Sequence, residues 1–364
     1  MKVTFRPHHL FSRFHDWVHV HRTRTYLFAG IGIVVAAGLI ASVALYKAPV
    51  KEVSKPKSTT KIVKKADPVF YSPLTGVKVA NQEATKQALT AIMIENSPDA
   101  RPQSGVKDAG VIYEAVAEGG ITRFLTLHQE DKPQLIGPVR SVRMYYVDWL
   151  APYQASVAHV GGSAASLAEV RNGNYRDIDQ FFNAGTYWRA SDRYAPHNVY
   201  TSFEKIDALN QSKGYTESTF TSFARVDGKP AATPNATSIA MNFSSALYNT
   251  QYAYDAASNT YLRSIGGVPS DDREKGRIAP SSVVAIKVAM THVLEDGYRE
   301  SIQTSGTGAA YVFQNGTVTE ATWRKNDRSS PLELIDASGK PISLIRGQTW
   351  IGAIPNGSGS VSWT

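Results

Sequence analysis

The sequence predicts an α+β protein, in which one transmembrane helix precedes a mixed α/β N-terminal ectodomain and a mainly-β C-terminal domain. Three observations support this prediction. An uncharged apolar run occupies residues 26–46, strand and helix patterns alternate across residues 68–230, and strand and turn patterns follow across residues 231–364. We therefore expect an anchor followed by two folded domains.

The first element is the predicted membrane helix. Its sequence is YLFAGIGIVVAAGLIASVALY, and at about 1.5 Å per residue its length matches the roughly 30 Å hydrocarbon core of a bilayer. A cleaved signal peptide is the alternative interpretation, because the letters ASVA resemble a small-residue cleavage site. The apolar run is longer than the core of a usual signal peptide, which favours an uncleaved signal anchor.

Basic residues flank this helix on both sides. Residues 1–25 contain five Lys or Arg and one acid, and residues 47–66 contain seven Lys and one acid. We predict a cytoplasmic basic tail over residues 1–25 and a Lys-rich linker over residues 47–67. A short tail before a large domain favours a single-pass protein of the cell membrane with its C-terminal part extracytoplasmic. The flanks carry +4 and +6 of the total +8, which leaves about −2 elsewhere, so no nucleic-acid partner is expected.

The segment 68–230 is predicted to begin with buried and paired strands. The letters AIMIENS at residues 91–97 are typical of a buried strand, and the glycine pair at Gly119 separates two apolar runs as in a hairpin. A helix is expected after the Gly-Pro turn near residue 137. A second helix is expected to start at Ser163, whose hydroxyl is suited to cap it.

Residues 231–364 are predicted to form the mainly-β domain. Apolar runs alternate there with turn residues, as in SIAMNF, QYAYD, TYLRSI, VVAIKVAM, AYVFQNGTVTEATW, LELIDASGKPISLI and TWIGAI. The pair Asn315-Gly316 is typical of a type I′ hairpin turn. This sequence contains no cysteine, which excludes disulfide bonds, Cys-based zinc sites and a lipid-modified cysteine within it.

Several long runs carry a resemblance to a known family. They are ENSPDARPQSGVKDAGVIYEAVAEGGITRFLTLH, IGPVRSVRMYY, HVGGS, RYAPHNVY, AYDAASNTYLR and RGQTWIGAIP. Through them, almost everything from Pro68 onward resembles the YerB-like family of bacterial envelope proteins. The resemblance implies two adjacent domains outside the cytoplasm and implies no reaction. Many family members are lipoproteins, whereas this chain lacks the lipid-accepting cysteine and is expected to use its helix instead.

Polar residues on predicted turns and helix starts form the candidate ligand-binding set, because binding groups are often carried on loops. The candidates are Glu114, Glu118, Arg140, Arg143, His159, Ser163, Arg189, Asp192, Arg193, His197 and Asn198. A helix start beside arginines favours phosphate or carboxylate. The Arg and His members of this set, six side chains in all, are therefore predicted to line one anion-binding cleft.

Structural roles are the alternative for several of these residues. Arg140 and Arg143 are three apart and are expected on one helix face, where they would meet a ligand or take part in a salt-bridge network. Glu114 and Arg123 would be cross-strand partners under this alternative. Ser163 would serve as a helix cap alone.

The favoured function is binding of an anionic cell-wall glycopolymer or peptidoglycan. A hydrolase or transferase acting on an envelope polymer, and a scaffold for cell-wall synthesis proteins, are the alternatives. The sequence favours a non-enzyme, because it contains no GxSxG elbow, HExxH helix or P-loop. Neither a metal nor a cofactor is expected, since five of the nine histidines lie in the N-terminal tail. The expected partners are a cell-wall polymer or envelope proteins, and the membrane.

Overall fold

The computed structural model describes residues 67–293 and 299–364. The predicted cytoplasmic tail, the membrane helix at 26–46 and the linker before residue 67 lie outside the described residues. Among the helices that are described, none is long and apolar enough to cross a membrane. The folded part extends from Asp67 to Thr364 and forms one compact unit.

Short helices interrupt the strands in the first half of this unit. In chain order its elements are β1 (Phe70–Tyr71), β2 (Lys78–Val79), β3 (Thr90–Glu95), β4 (Val111–Val116), β5 (Thr122–His128), α1 (Met144–Leu150), β6 (Ser156–Ala158), α2 (Ala164–Val170), β7 (Arg176–Asp177), β8 (Tyr187–Arg189), β9 (Val199–Thr201), α3 (Phe203–Ser212) and β10 (Arg225–Val226). Single-turn 3-10 helices lie at Glu83–Lys86, Pro98–Ala100, Glu118–Gly120, Ala151–Tyr153 and Ala184–Thr186.

Strands alone make up the regular structure described in the second half. They are β11 (Ser238–Asn242), β12 (Thr250–Asp255), β13 (Thr260–Ile265), β14 (Val268–Pro269), β15 (Asp271–Asp272), β16 (Gly276–Arg277), β17 (Ser282–Val288), β18 (Met290–Val293), β19 (Arg299–Ile302), β20 (Gly306–Gln314), β21 (Thr317–Lys325), β22 (Glu333–Ile335), β23 (Leu344–Ile345), β24 (Thr349–Pro355) and β25 (Ser360–Trp363). The prediction of a strand-rich C-terminal part is confirmed for these residues.

A ten-stranded mixed sheet contains strands from both halves. Its order is β22-β21-β20-β17-β24-β4-β5-β3-β6-β7. Strand β24 lies between β17 and β4 and runs parallel to both. Strand β5 is antiparallel to β4 and β3, and β20 is antiparallel to β17 and β21. A strand from near the end of the chain therefore joins the two halves into one sheet.

Each face of this sheet covers a separate hydrophobic core, because successive side chains of a strand point to opposite faces. In β3, Met93 belongs to one core and Ile92 to the other. Helices α1 and α2 pack on the first face, where Trp149 stacks on Tyr113 with ring centroids 5.4 Å apart. The second face is covered by α3 and by the antiparallel sheet β14-β13-β12-β11-β25.

Local signals in the sequence identify several elements correctly. Strand β3 is buried throughout, and β4 pairs with β5 across the turn at Gly119. The Ser163 hydroxyl accepts a hydrogen bond from the Ser166 N–H at 3.3 Å, so Ser163 caps α2. Asn315 and Gly316 have φ of 58° and 78° between β20 and β21, as a type I′ turn requires.

The predicted helix face shared by Arg140 and Arg143 is wrong. Helix α1 begins at Met144, with Arg143 as its extended N-cap residue. Arg140 lies in an extended segment whose backbone N–H donates to the Met93 carbonyl at 2.8 Å. Since its carbonyl also accepts from the Val160 N–H, its backbone is committed to neighbouring strands, and the two arginines take different partners.

A buried ion pair joins the two halves of the chain. Glu114 Oε2 accepts from Arg263 Nη2 and from Trp350 Nε1, each at 2.9 Å. Both charged side chains are almost fully buried, and the Arg263 guanidinium lies over the Trp350 ring at 4.3 Å. Thr122 donates to Glu114 Oε1 at 2.8 Å. These contacts provide both oxygens of a buried carboxylate with donors and give the buried guanidinium its counter-charge, as buried charges require.

We predict that Glu114→Gln lowers the free energy of unfolding by about 3–5 kcal/mol, because it leaves the Arg263 charge buried without a counter-charge. Chemical denaturation of the full chain in detergent measures the change. The double variant Glu114→Leu with Arg263→Met should recover part of the loss, since an apolar pair avoids the desolvation cost although Trp350 and Thr122 lose their acceptor. A loss below about 1 kcal/mol in the single variant would contradict the assignment.

Candidate functional site

The predicted site residues are distributed over several places, and the largest opening among them is a surface cleft of about 680 Å³. We call it the arginine cleft. Its lining residues are Asp99, Arg101, Pro102, Asp192, Arg193, Tyr194, Ala195, His197 and Arg273. Three arginines, a histidine and an exposed tyrosine thus meet at one opening.

Three loops build the arginine cleft. The first follows β3, where Pro98–Ala100 forms a single 3-10 turn. The second connects β8 to β9, and its ends are held together by the hydrogen bond from the Ala190 N–H to the Asn198 carbonyl. The third is the turn between β15 and β16, where the Arg273 N–H donates to the Gln103 carbonyl at 2.8 Å. The third loop is therefore attached to the first by its backbone.

The arginines of the cleft differ in how their charge is compensated. Arg193 donates to the carbonyls of Asp99 and Pro102, at 3.0 and 2.6 Å. Arg101 donates to the Asn96 carbonyl at 2.9 Å and to the Leu247 carbonyl at 3.1 Å. These neutral acceptors orient both guanidinium groups without cancelling their charge.

Arg273 instead pairs directly with the Asp192 carboxylate. The hydrogen bond from Arg273 lowers the pKa of Asp192 and raises its own. Asp192 is therefore ionised at neutral pH. It holds Arg273 over the cleft, and it supplies no acidic proton to a ligand.

The inner wall of the cleft is a buried carboxylate with basic partners. Glu95 is 4% exposed, and its Oε1 accepts from His197 Nδ1 at 2.9 Å and from the Ser97 hydroxyl at 3.0 Å. Arg140 Nε lies 3.3 Å from the other oxygen of Glu95. Burial lowers the pKa of the Arg140 guanidinium, and the charge of Glu95 opposes that effect. Arg140 therefore contacts Glu95 behind the cleft and does not line the cleft itself.

Arg189 and Asn198 lie beside the arginine cleft. Arg189 Nη1 donates to Asn198 Oδ1 at 2.8 Å, and the Asn198 amide donates to the carbonyls of Ala190 and Arg193. Arg189 lines an adjoining recess of about 300 Å³ that shares Asp192 and Arg273 with the cleft. The main task of Asn198 is to hold the loop between β8 and β9 in shape.

Glu118 is the centre of a second polar cluster. Its carboxylate pairs with Arg143 and with Arg123 Nη2 at 3.2 Å, and Arg299 Nη1 lies 3.8 Å away. Burial opposes ionisation of Glu118, but the hydrogen bond from Arg143 and the charges of both close arginines lower its pKa to about 2. Arg143 and Ser163 line a separate cavity of about 270 Å³. These residues are therefore not part of the arginine cleft.

His159 is fully buried and belongs to a third network. Its Nε2 lies 2.9 Å from Asp177 Oδ1, and its Nδ1 lies 2.8 Å from the Gly161 carbonyl. Arg171 Nη2 donates to Asp179, whose carboxylate is also buried. Since both ring nitrogens of His159 already face acceptors, this histidine organises the segment between β6 and α2 and does not face a cleft.

The predicted single cleft is thus divided. Arg193, His197 and Asp192 line the arginine cleft, with Arg189 and Asn198 beside it and Arg140 behind it. Glu118 and Arg143 lie in the second cluster, Ser163 lines the cavity beside Arg143, His159 lies in the third network, and Glu114 forms the buried ion pair. Glu114 and Arg123 are not cross-strand partners, because Arg123 faces Ala115 in the strand register.

Several members of the cleft are not among the candidates predicted from the sequence. Arg273 lies in an acidic turn of the mainly-β part, and no local pattern connects it with residues near 100 or 193. Arg101 follows the predicted strand at residues 91–97 and is also not among the candidates. Tyr194 could have been predicted as a member of the cleft, because an aromatic residue between two basic residues of a loop is a common binding feature. In the structure Tyr194 is 91% exposed.

The chain matches two family models. They are described as “Protein of unknown function (DUF3048) N-terminal domain”, which matches residues 74–216, and its “C-terminal domain”, which matches residues 239–351. A protein of Bacillus subtilis (strain 168) named “Putative lipoprotein YerB” is 33% identical over 290 residues, which are 78% of this chain and 86% of that protein. The chain belongs to the YerB-like family. The crystal structure of YerB protein from Bacillus subtilis matches it with a TM-score of 0.72 and 29% identity over 80% of this chain and 99% of that one.

The family match confirms the resemblance found in the sequence and gives the cleft a place in the YerB-like architecture. Arg101, Arg193 and His197 lie within the part matched by the N-terminal model. Arg273 lies within the part matched by the C-terminal model. The arginine cleft is therefore assembled from both parts of a YerB-like chain, and neither part contains all of its basic side chains.

The lowered pKa of Glu118 predicts acid sensitivity. Because its folded-state pKa lies below its usual value of 4.5, its stabilisation is present above about pH 4.5 and is lost as the pH falls towards 2. The lowered pKa sets an upper bound of about 3 kcal/mol, and solvent screening of this partly exposed group reduces the expected contribution to about 1–2 kcal/mol. Glu118→Gln should be less stable than the parent by that amount at pH 7, and the difference should shrink as the pH falls below about 4.5 and vanish near pH 2.

Urea denaturation of the full chain at pH 7, 5 and 3 measures this difference. Glu333→Gln is the matched control, because Glu333 pairs with the half-exposed Arg324 at 2.8 Å. Its effect should stay below about 0.5 kcal/mol at each pH. A Glu118→Gln difference that does not change with pH would refute the role of this carboxylate.

Proposed function

We propose that this protein is a membrane-anchored, extracytoplasmic envelope protein that binds an anionic cell-wall glycopolymer in the arginine cleft. The observation that carries the proposal is the convergence of Arg101, Arg193 and Arg273 from separate loops on one opening. Guanidinium groups bind phosphate and carboxylate through paired N–H donors.

The charge balance of the cleft supports an anionic ligand. Its lining contains three arginines against two carboxylates, those of Asp99 and Asp192. The residues after position 66 carry a net charge of about −2, so the cleft is locally more basic than the unit around it. Such a contrast concentrates an anion at one place on the surface.

The shape of the cleft supports a polymeric ligand. It is open along one side, and Tyr194 projects almost entirely into solvent beside Arg193. A flat aromatic ring offers an apolar face to a sugar while its neighbour binds a charged group. A ligand made of sugars and charged groups fits an opening with this lining.

Two observations support the proposed anchoring at the membrane surface. The relative named “Putative lipoprotein YerB” carries a name that refers to a lipid anchor. This sequence has no cysteine to accept a lipid, and its residues 26–46 form an uncharged apolar run of membrane-spanning length. A helix in place of a lipid would hold the folded unit at the same membrane surface.

Retention on purified bacterial sacculi tests the proposal. The full chain in detergent should be retained, and Arg193→Ala or Arg273→Ala should each weaken retention by about 10-fold or more, the loss expected for one charge-assisted contact. Arg193→Lys should also weaken it, because an ammonium group cannot reproduce the guanidinium geometry. Retention should fall as the salt concentration rises.

Arg324→Ala is the matched control, because this half-exposed arginine lies on β21 and is not part of the cleft lining. It should bind like the parent. Sacculi stripped of phosphodiester-linked polymers with hydrofluoric acid distinguish the ligand, since retention is lost if the ligand is a phosphate polymer and kept if it is a peptidoglycan carboxylate. Equal retention of the cleft variants and the parent would contradict the proposal.

A further inference from the structure

The arginine cleft contains a histidine whose two ring nitrogens have different surroundings. On the inner side, His197 Nδ1 lies 2.9 Å from Glu95 Oε1. On the outer side, His197 Nε2 lies 3.9 Å from Asp99 Oδ2, and both residues line the cleft. The Asp99 side chain is 83% exposed whereas Glu95 is buried, so the Nε2 side of the ring is the one nearer the solvent.

The Glu95 carboxylate determines which nitrogen carries the proton. A carboxylate oxygen only accepts, so His197 Nδ1 donates its N–H to Glu95, and in the neutral ring the lone pair lies on Nε2. Ser97 also donates to the same Glu95 oxygen at 3.0 Å, and Arg140 lies 3.3 Å from the other oxygen. Two further groups therefore hold Glu95 in place behind the ring.

We propose that His197 acts as the general base in the hydrolysis of a phosphodiester that the arginines of this cleft bind. Glu95 is its positioning residue. This inference rests on the proposed binding function and adds a reaction to it. His197 Nε2 takes a proton from a water molecule, whose oxygen forms a bond to phosphorus while the bond from phosphorus to the leaving alkoxide oxygen breaks. Solvent protonates the alkoxide and removes the proton from His197, so the products are a phosphomonoester and an alcohol.

The cleft fits a phosphodiester better than a glycosidic or peptide bond. During attack, negative charge develops on the phosphoryl oxygens, where guanidinium groups stabilise it. Glycoside hydrolysis needs a carboxylic acid that keeps its proton near neutral pH, but the bond from Arg273 lowers the pKa of Asp192. Ser97 is not placed as a nucleophile, because it lies on the Nδ1 side of the ring at 3.2 Å and is buried.

The test measures release of p-nitrophenolate from bis(p-nitrophenyl) phosphate by the full chain in detergent, together with retention on sacculi. The parent should release product above the buffer rate. His197→Gln should lower the rate by about 100-fold or more, as expected when a general base is removed. Glutamine keeps a donor for Glu95, which protects the fold.

Chemical rescue separates catalysis from structure. His197→Gly should be inactive and should regain part of its rate when free imidazole is added, because the added base occupies the space beside Glu95. A purely structural role of His197 gives no rescue. Arg324→Ala again serves as the control and should hydrolyse like the parent.

The outcomes distinguish the two proposals. Retention on sacculi without product release by the parent overturns hydrolysis and leaves the binding function in place. Equal rates in the parent and in His197→Gln also overturn the assignment of the base. If the parent shows neither retention on sacculi nor product release, the binding function is overturned and the reaction with it.

Discussion

The buried ion pair between Glu114 and Arg263 is the interaction on which the rest of the structure depends. Moving these charges out of water costs several kcal/mol each unless their partners are correctly placed, so β4, β13 and β24 must meet in one register. Slipping β24 by one residue would turn Trp350 to the opposite face of the sheet and remove a donor from Glu114. Since the turn containing Arg273 follows β13 closely, the same register places that arginine at the cleft.

The cleft shows how a unit with a slightly negative net charge can present a basic site. Its arginines are not distributed over the surface but are oriented by main-chain carbonyls, as for Arg101 and Arg193. A carbonyl fixes the direction of a guanidinium and leaves its charge available to a ligand. The separate cluster around Glu118 uses the opposite arrangement, in which several arginines share one carboxylate and their charge is largely compensated.

Features with local causes could be predicted from the sequence. The buried strand β3, the glycine hairpin between β4 and β5 and the cap at Ser163 each follow from a few adjacent residues. The partner of Glu114 could not be predicted, because Arg263 lies 149 residues away and nothing nearby marks it. Spacing also misled the prediction for Arg140, whose backbone bonds to β3 and to the segment after β6 instead of forming a helix. For the same reason, the residues that line the cleft could be identified only from the tertiary structure.

The position of β24 also bears on how the chain folds. Val111 in β4 pairs with Thr349 in β24, so the centre of the ten-stranded sheet closes only after nearly all of the chain is present. Contacts between residues so distant in sequence carry a large loop-closure entropy and are associated with slow folding. If the chain crosses a membrane from its N-terminus, β4 emerges long before β24. The edge of β4 that bonds to β24 then stays unpaired in the meantime. Such a chain would benefit from a chaperone until its last strands have crossed the membrane.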